Sequence, residues 1–401
     1  MLSISFLLLM ASSGLAWFGF PVIIPSMLEA LDVSHSQLGM ISMAFFIGNV
    51  VAATPMGTLV SKVPFRIMAS LTMTVTGLSF VATALAPTLW MIIVLQILAG
   101  AGAVGATICG SVMASGWFPL KRRGLVTGIT RGGTGLGLVL SGIMLPPIIE
   151  AGGEVGWRYG WMSLGISILL IAFLAALVVR ERPVRHPTTQ ASGEKLKDTW
   201  SQVMAVPAVW QFAVTMLFFG IGAMLFATFF VTYLIQDEGL TPTVAGSLWS
   251  VVGVLGIFGG PLAGLASDAI GRRRATAILF LMQFVGIVAV VAWQGPGAYM
   301  LVIILYGISM NGFPTTTIAA FLDYVGSRRT PLALSLVVLC VLSGRAAGPV
   351  IGGIIADITS KLTRAFAVAA GAQLIGLVLI SLPIRTTALS VRSNRSVEEV
   401  S

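Results

Sequence analysis

The stretch Gly264-Leu-Ala-Ser-Asp-Ala-Ile-Gly-Arg-Arg-Arg274 separates two long apolar segments, residues 247–265 and 275–293. Three adjacent arginines are costly to place in hydrocarbon. They therefore put this stretch in a loop at a membrane surface, and they favour the cytoplasmic side of that membrane.

Within this loop, charges of opposite sign flank a tight turn. Asp268 comes at the end of the first apolar segment, Gly271 supplies the turn, and Arg272 begins the next segment. An acidic group at one helix end and a basic group at the next attract each other across a short gap. We predict that Asp268, Gly271 and Arg272 clamp two helix ends and act in a conformational switch.

A weaker copy of the loop lies about half a chain upstream, at Gly57-Thr-Leu-Val-Ser-Lys-Val-Pro-Phe-Arg66. The two copies resemble the signature loop of the major facilitator superfamily, G-x-L-x-D-x-x-G-R-R-R. The first copy departs from it at Ser61 and Pro64, where Asp and Gly are usual. Two copies at half-chain spacing indicate a transporter built from two homologous halves, with Gly57 as a further switch residue. The alternative is an ordinary basic cytoplasmic loop.

The composition is that of an integral membrane protein. Of 401 residues, 57% are hydrophobic and 9% are charged, against about 25% charged residues in soluble domains. The net charge of +9 does not indicate a nucleic-acid partner, because the basic residues cluster in short loops on one side of a lipid bilayer. The cysteines (Cys109, Cys340) and histidines (His35, His186) form no metal-ligand cluster, so we expect no metal site.

Apolar runs of about 20 residues are long enough to cross a bilayer as helices. The sequence contains twelve, which predicts an all-α integral membrane protein with twelve transmembrane helices in two pseudo-symmetric six-helix bundles. The predicted domains are an N-terminal bundle (1–180), a cytoplasmic linker (181–205) and a C-terminal bundle with a short tail (206–401). The predicted spans are 3–27, 38–60, 67–86, 89–115, 124–148, 160–179, 206–235, 245–266, 275–294, 298–321, 332–355 and 365–384.

The charges also predict the orientation. With both termini in the cytoplasm, the inner loops and tail hold 18 of the 23 basic residues, and the outer loops hold Arg158, Lys361 and Arg364. This distribution follows the positive-inside rule, and a shift of the helix count by one would destroy it. We therefore predict a monomeric, multi-pass protein of a cell inner membrane, with both termini cytoplasmic.

Residues 117–158 carry a more specific pattern. Trp117-Phe-Pro-Leu-Lys-Arg-Arg-Gly-Leu-Val-Thr-Gly-Ile129 is followed by Gly133-Thr-Gly-Leu-Gly137, Leu145-Pro-Pro147 and Gly156-Trp-Arg158. This block resembles the helix 4 to helix 6 region of the monocarboxylate transporters and the related bacterial oxalate/formate antiporters. Together with the signature loop, the resemblance implies a central cavity that opens alternately to each side of the membrane, without a cofactor.

The chain departs from these families at informative positions. Arg131 stands where the monocarboxylate-type pattern usually has a small residue. The oxalate-type antiporters carry a basic pair on helices 8 and 11, but predicted helix 8 has no basic residue, so only Arg345 could carry over. Gln96, four residues before Gly100, occupies the place of a basic residue of the proton-coupled drug antiporters, which disfavours that class.

Two arginines fall inside predicted helices, and both lack an obvious counter-charge. Each of the 14 acidic residues falls at a predicted helix end or in a loop, so Arg345, near mid-membrane, has no acidic partner at its depth. An intramembrane arginine is a candidate functional site, and an anionic substrate would supply the missing charge. Arg131 is shallower, so the alternatives are that it snorkels to the surface or reaches Asp323.

Other polar and aromatic side chains within predicted spans are candidates to line a central cavity. For each, the alternative is helix–helix hydrogen bonding or packing. The predicted substrate-binding set comprises Arg345, Arg131, Asn311, Trp17, Tyr306, Gln96 and Asn49, with Gln211 and Phe20 as further cavity candidates.

These patterns predict a secondary active transporter, not an enzyme, that moves a small organic anion. A mono- or dicarboxylate would cross by alternating access, in symport or antiport. The alternative is an exporter of amphipathic or drug-like compounds, which the apolar composition fits equally well. A receptor or scaffold would normally carry a soluble domain, and an enzyme would need a nucleophile–base or metal cluster that the sequence does not suggest.

Overall fold

A computed structural model of the chain describes residues 1–60, 62–117, 123–179, 203–313, 315–317 and 330–383. Regular secondary structure within these ranges is helical throughout. The helices are α1 (Leu2–Leu31), α2 (His35–Leu59), α3 (Phe65–Leu85), α4 (Leu89–Trp117), α5 (Arg123–Gly152), α6 (Gly156–Val178), α7 (Pro207–Gln236), α8 (Pro242–Ile270), α9 (Arg272–Ala292), α10 (Pro296–Met310), α11 (Thr330–Thr359) and α12 (Leu362–Ser381).

These helices confirm the predicted all-α membrane fold. Residues 128–178 form one continuous apolar stretch that contains most of α5 and all of α6, joined only by the short 3-10 turn Gly153–Val155. The predicted span 298–321 corresponds to an apolar segment Pro296–Thr317 that is interrupted inside. Helix α10 ends at Met310, and short helical pieces follow at 312–313 and 315–317. Gly312 and Pro314 are poor helix formers, which accounts for the interruption.

The two halves of the chain repeat the same helix pairs. In the first half α1 packs on α5, α2 on α4 and α3 on α6, and in the second half α7 packs on α11, α8 on α10 and α9 on α12. Between the halves, α2 packs on α11 and α5 on α8. Every pairing therefore recurs six helices later, as two homologous six-helix bundles require. Residues 181–202 of the predicted linker lie outside the described residues.

The loops that follow odd-numbered helices lie at one end of the bundle, which the charge pattern predicts to be the outer end. There, α2 and α11 touch backbone to backbone. A Cβ atom added to Gly39 of α2 would lie 2.5 Å from the carbonyl oxygen of Pro349. At the inner end of α2, a Cβ atom added to Gly57 would have no atom within 4 Å.

The contact between α5 and α8 loosens in the same direction. Near the outer end, a Cβ atom added to Gly142 would lie 2.4 Å from the carbonyl oxygen of Gly246. Near the inner end, the nearest atom to a Cβ atom added to Gly128 would be Cγ of Pro261, at 3.7 Å. The two halves are therefore tightly packed at the outer end and further apart at the inner end.

Helix α1 contains a π-helical turn at Met10–Leu15. Such turns insert a residue into an α-helix and occur frequently at functional sites. The turn lies against the glycine-rich part of α5, where a Cβ atom added to Gly14 would be 2.7 Å from Cα of Gly137. Small residues permit this close approach of two helices, so packing against α1 explains part of the glycine run at 132–137.

Candidate functional site

A cavity of about 70 Å³ lies between the two halves. It is bordered by α1, α4 and α5 of the first half and by α7, α10 and α11 of the second, together with Asn311 just after α10. Its wall is largely apolar, with hydroxyl groups and two arginines. The lining residues are Leu9, Ser13, Trp17, Phe18, Thr107, Arg131, Thr134, Phe219, Ala223, Met224, Tyr306, Met310, Asn311 and Arg345.

Arg345 lies near the middle of the 30-residue helix α11 and lines this cavity. Its guanidinium carbon is 4.7 Å from the centre of the Trp17 ring, a distance at which a cation is attracted to the ring face. Its ionisable neighbours are Tyr306 and Arg131, and none of the residues lining the cavity is acidic. Within the described ranges, the Arg345 guanidinium makes no ion pair.

Arg131 comes from α5, in the opposite half, and lines the same cavity. The structure therefore brings together the two arginines that the sequence places inside helices. No ion pair or side-chain hydrogen bond of Arg131 occurs in the part of the chain that the structure describes. Asp323, the alternative partner, lies outside that part.

Tyr306 and Asn311 also border the cavity, but their donor groups are engaged elsewhere. The Tyr306 hydroxyl donates to the carbonyl oxygen of Ala223 over 2.8 Å, and the Asn311 amide donates to that of Gly256 over 2.9 Å. These bonds tie the end of α10 to α7 and α8. Both side chains therefore shape the wall of the cavity and leave the arginines as its charged groups.

Asn49 and Gln96 do not line the cavity. The Asn49 amide donates to the carbonyl oxygen of Phe45 in its own helix, over 2.9 Å, next to the contact of α2 with α4. The Gln96 amide lies 3.4 Å from the Thr83 hydroxyl, between α4 and α3. The expectation that these two side chains face the central cavity is corrected, because helix–helix packing, the stated alternative, places them elsewhere.

The two further cavity candidates are likewise outside the cavity. The Gln211 amide donates to the carbonyl oxygens of Leu379 and Leu382, at the end of α12, over 2.7 and 3.1 Å. Phe20 stacks on Trp161 of α6 with ring centres 5.5 Å apart. Both side chains connect helices within one half.

Hydroxyl groups on the cavity wall were not predicted from the sequence. Ser13 lies in the π turn of α1, and its Oγ is 3.3 Å from Oγ1 of Thr107 in α4, which also lies 2.9 Å from Oγ of Ser12. Thr134 of α5 completes the group. Serine and threonine are common in membrane helices, so their presence in the sequence does not show which of them line a cavity. The close packing of α1 on α5 places these hydroxyl groups on the cavity wall.

The signature loop forms the predicted charge pair. The Asp268 carboxylate at the end of α8 accepts a hydrogen bond from the Arg272 guanidinium at the start of α9. Arg272 also donates to the Ser267 hydroxyl over 3.1 Å. Between the helices, Gly271 has a φ of +90°, a conformation that glycine adopts far more readily than other residues.

Arg273 has a role that the sequence did not suggest. Its Nε donates to the carbonyl oxygen of Ile380 over 2.8 Å, and another guanidinium nitrogen donates to that of Ser381. These carbonyl groups are among the last of α12, which have no partner within the helix. Arg273 thus caps α12 and fastens the signature loop to it.

Comparisons with known proteins agree with this architecture. The profile of the Major Facilitator Superfamily matches residues 6–310 and 239–399. The hexuronate transporter of Bacillus subtilis is 26% identical over 379 residues, covering 86% of this chain and 85% of that protein. Putative glycerol-3-phosphate transporter 1 of Arabidopsis thaliana is 25% identical over 352 residues, covering 77% of this chain and 66% of that protein.

Among solved structures, a bacterial homologue of the human lysosomal transporter Spinster, in an inward-facing and occupied conformation, matches with a TM-score of 0.80. It is 16% identical, and the match covers 97% of each chain, so it shows the shared fold. The family profile covers nearly the whole chain, from the first helix to the last. The chain therefore belongs to the Major Facilitator Superfamily and is a membrane transporter, not an enzyme.

Proposed function

We propose that the protein is a secondary transporter that moves a small organic anion across the cell inner membrane. The observation that carries this proposal is the pair of guanidinium groups, one from each half, that line a cavity with no acidic residue in its wall. A buried cation without a counter-charge is costly. An anionic substrate bound by Arg345 and Arg131 would remove that cost.

The chemistry of the relatives' substrates supports an anion. Hexuronates carry a carboxylate and glycerol 3-phosphate carries a phosphate ester, so both named substrates are small organic anions. The resemblance of residues 117–158 to the monocarboxylate transporter branch supports a carboxylate, and it rests on those residues alone. Both groups are oxyanions, which a guanidinium binds through two parallel hydrogen bonds.

Alternating access is supported by the unequal spacing of the two halves. Their backbones touch at the outer end and are further apart at the inner end, which is the arrangement of an inward-facing state. A rocking motion of one bundle against the other would close the inner end and open the outer end. The cavity with the two arginines lies between the bundles that would move.

Export of amphipathic or drug-like compounds is the second candidate function. The observation that favours it is the apolar part of the cavity wall, with Leu9, Phe18, Phe219, Met224 and Met310. Large apolar ligands bind such walls without a charged anchor. The two functions differ in whether transport needs Arg345.

Uptake into proteoliposomes tests the proposal. Labelled glucuronate, glycerol 3-phosphate, lactate and succinate are supplied outside, with and without an unlabelled anion inside. We expect saturable uptake of at least one of these anions by the parent protein and its loss in Arg345→Ala. If none is transported and a deletion strain becomes sensitive to amphipathic drugs, the exporter function replaces the anion transporter.

The orientation is tested separately. A reporter enzyme that is active only in the periplasm, fused at Ser192, should be silent, because the charge pattern places residues 181–205 in the cytoplasm. A reporter fused at Glu154, in a predicted outer loop, is the matched control and should be active. The reverse result would invert the assignment of the outer and inner ends.

A further inference from the structure

We propose that His35 and Asp357 form a proton-sensitive latch that holds the outer end of the transporter closed. His35 is the first residue of α2, and Asp357 lies in the last turn of α11, in the other half. We call these two side chains the outer latch. The proposal rests on the alternating access inferred above, and it does not depend on the identity of the substrate.

The Asp357 carboxylate binds the beginning of α2. Its Oδ1 accepts the backbone N–H of His35 over 2.9 Å, and its Oδ2 accepts that of Ser36 over 3.0 Å. The first N–H groups of a helix have no partner within the helix, and this helix end attracts negative charge. The carboxylate therefore joins the two halves by charge-assisted hydrogen bonds.

The His35 ring adds two contacts with the second half. Its Nδ1 is 3.2 Å from Oδ1 of Asp357, and its Nε2 is 3.5 Å from Oε1 of Gln236, at the end of α7. A neutral imidazole carries a hydrogen on only one nitrogen, whereas a protonated imidazole donates from both. Protonation therefore allows both contacts to be hydrogen bonds and turns the contact with Asp357 into an ion pair.

Charged residues of both signs lie near the His35 ring at the outer end of the second half. Besides Asp357, the charged residues at this end of the second half are Asp237, Glu238, Lys361 and Arg364. Burial and the charge of Glu238 raise the pKa of Asp237, and the charges of His35 and Lys361 oppose that rise.

The latch lies in a region where the backbones of the two halves are in close contact. A Cβ atom added to Gly353 of α11 would be 2.4 Å from the carbonyl oxygen of His35, so the outer end cannot open without breaking the latch. The side chains of His35 and Asp357 are 23% and 26% exposed, so protons reach them from the outer solution. An imidazole changes charge between about pH 5 and 8.

Protonation should shift the transporter towards the state with the outer end closed. The ion pair exists in the closed state and is separated in the open state, so the proton binds the closed state more tightly and acidification favours that state. For a partly exposed pair, the ratio of closed to open protein should rise by up to about fivefold.

Double electron–electron resonance on the full chain in lipid nanodiscs measures this ratio. Spin labels are placed on cysteines at Glu154 and Gln294, which are exposed in outer loops of opposite halves. Cys109 and Cys340 are replaced by alanine. Distances are compared at about pH 8 and about pH 5.5, on either side of the range in which imidazole titrates.

We expect two label-to-label distances, a shorter one with the outer end closed and a longer one with it open. The population with the shorter distance should increase at the lower pH. His35→Gln keeps a polar side chain without a titrating ring and should abolish the pH dependence. His186→Gln removes the other histidine of the chain and is the matched control that should preserve it. Asp357→Asn removes the carboxylate and should lower the closed population at both pH values.

Two results would overturn the latch in different ways. The latch would be refuted if the label-to-label distance had two values whose populations did not change with pH. It would also be refuted if His35→Gln showed the same pH dependence as the parent protein. Either result would leave alternating access intact. A single label-to-label distance that is the same at both pH values in the parent protein and in every variant would refute the latch together with alternating access.

Discussion

The Arg345 guanidinium lies against the face of the Trp17 indole, with 4.7 Å between the guanidinium carbon and the ring centre. The two residues belong to α11 and α1, and therefore to opposite halves of the transporter. The ring attracts the cation without neutralising its charge, so the guanidinium keeps its capacity to bind an anion. The indole Nε1 is buried and has no hydrogen-bond partner among the described residues, which leaves a second donor at the cavity wall.

We expect Arg345→Ala to weaken anion binding strongly while the protein remains folded. Loss of a hydrogen bond to a charged group costs about 1.5–3 kcal/mol, or about ten- to a hundredfold in Kd. Arg345→Lys keeps the charge but loses the planar fork, so its affinity should be intermediate. Calorimetric titration with the transported anion and a melting temperature on the same samples give both quantities.

Arg158 provides a matched control for this substitution. Its guanidinium also lies over a tryptophan, 4.4 Å from the ring centre of Trp157, and it donates to the carbonyl oxygen of Ala84 over 2.7 Å. It is outside the cavity. Arg158→Ala should lower the melting temperature and leave the anion affinity unchanged. The same pattern in Arg345→Ala would show that Arg345 is a structural residue.

Arg131→Gln should weaken the binding of doubly charged anions more than the binding of singly charged ones. Two uncompensated cations in one cavity favour a ligand with two negative charges, so the parent protein should bind succinate more tightly than its monomethyl ester. The substitution removes one cation and should reduce that preference by about tenfold, or roughly 1.4 kcal/mol. A preference that survives unchanged would place Arg131 beyond reach of the substrate's second charge.

Trp17→Leu should reduce anion affinity, because it removes both the aromatic face against which Arg345 lies and the indole N–H at the cavity wall. The substitution removes the ring that attracts the Arg345 guanidinium, an interaction worth about 0.5–2 kcal/mol. Trp17→Phe keeps an aromatic face and should retain part of the affinity. Equal affinities in the two variants, measured by calorimetry, would mean that the stacking contributes nothing to binding.

Asp268→Asn should slow transport and barely change stability. The Asp268 side chain is 66% exposed, and exposed ion pairs contribute only about 0–1 kcal/mol, so the membrane should hold a normal amount of folded protein. The exchange rate in proteoliposomes should fall because the clamp between α8 and α9 is lost. Asp32→Asn, a change of the same type in an outer loop, is the control and should leave the rate unaltered. Equal rates in the parent and in Asp268→Asn would limit the signature loop to a topological role.

The fold could be predicted because membrane insertion imposes simple rules. Apolar runs of sufficient length become helices whatever their detailed sequence, and the repeat of the signature loop at half-chain spacing indicated two halves. The predicted span 298–321 runs across the interruption after Met310, because hydropathy alone does not divide an apolar run. Hydropathy measures transfer into lipid and is insensitive to the local backbone conformation.

The candidate site could be predicted in its charges but not in its other polar groups. Arg131 and Arg345 were recognisable because an intramembrane charge is rare and expensive. Asn49 and Gln96 were misplaced because an uncharged amide in a membrane helix is satisfied equally well by a neighbouring helix or by a substrate. The side on which such a residue faces depends on helix rotation, which one sequence does not specify. His35 falls between the predicted spans 3–27 and 38–60, and no local pattern indicates a partner that lies 322 positions away.

The π turn at Met10–Leu15 makes the register of α1 part of the site. In a regular α-helix, residues four apart drift by about 40° around the axis, so Leu9, Ser13 and Trp17 would spread over about 80°. The wider turn opposes this drift, and all three side chains line the cavity. Deletion of one residue within the turn would rotate Trp17 by about 100° relative to Leu9 and take the indole away from Arg345. The number of residues in this segment, as well as their chemistry, therefore determines which side chains of α1 line the cavity.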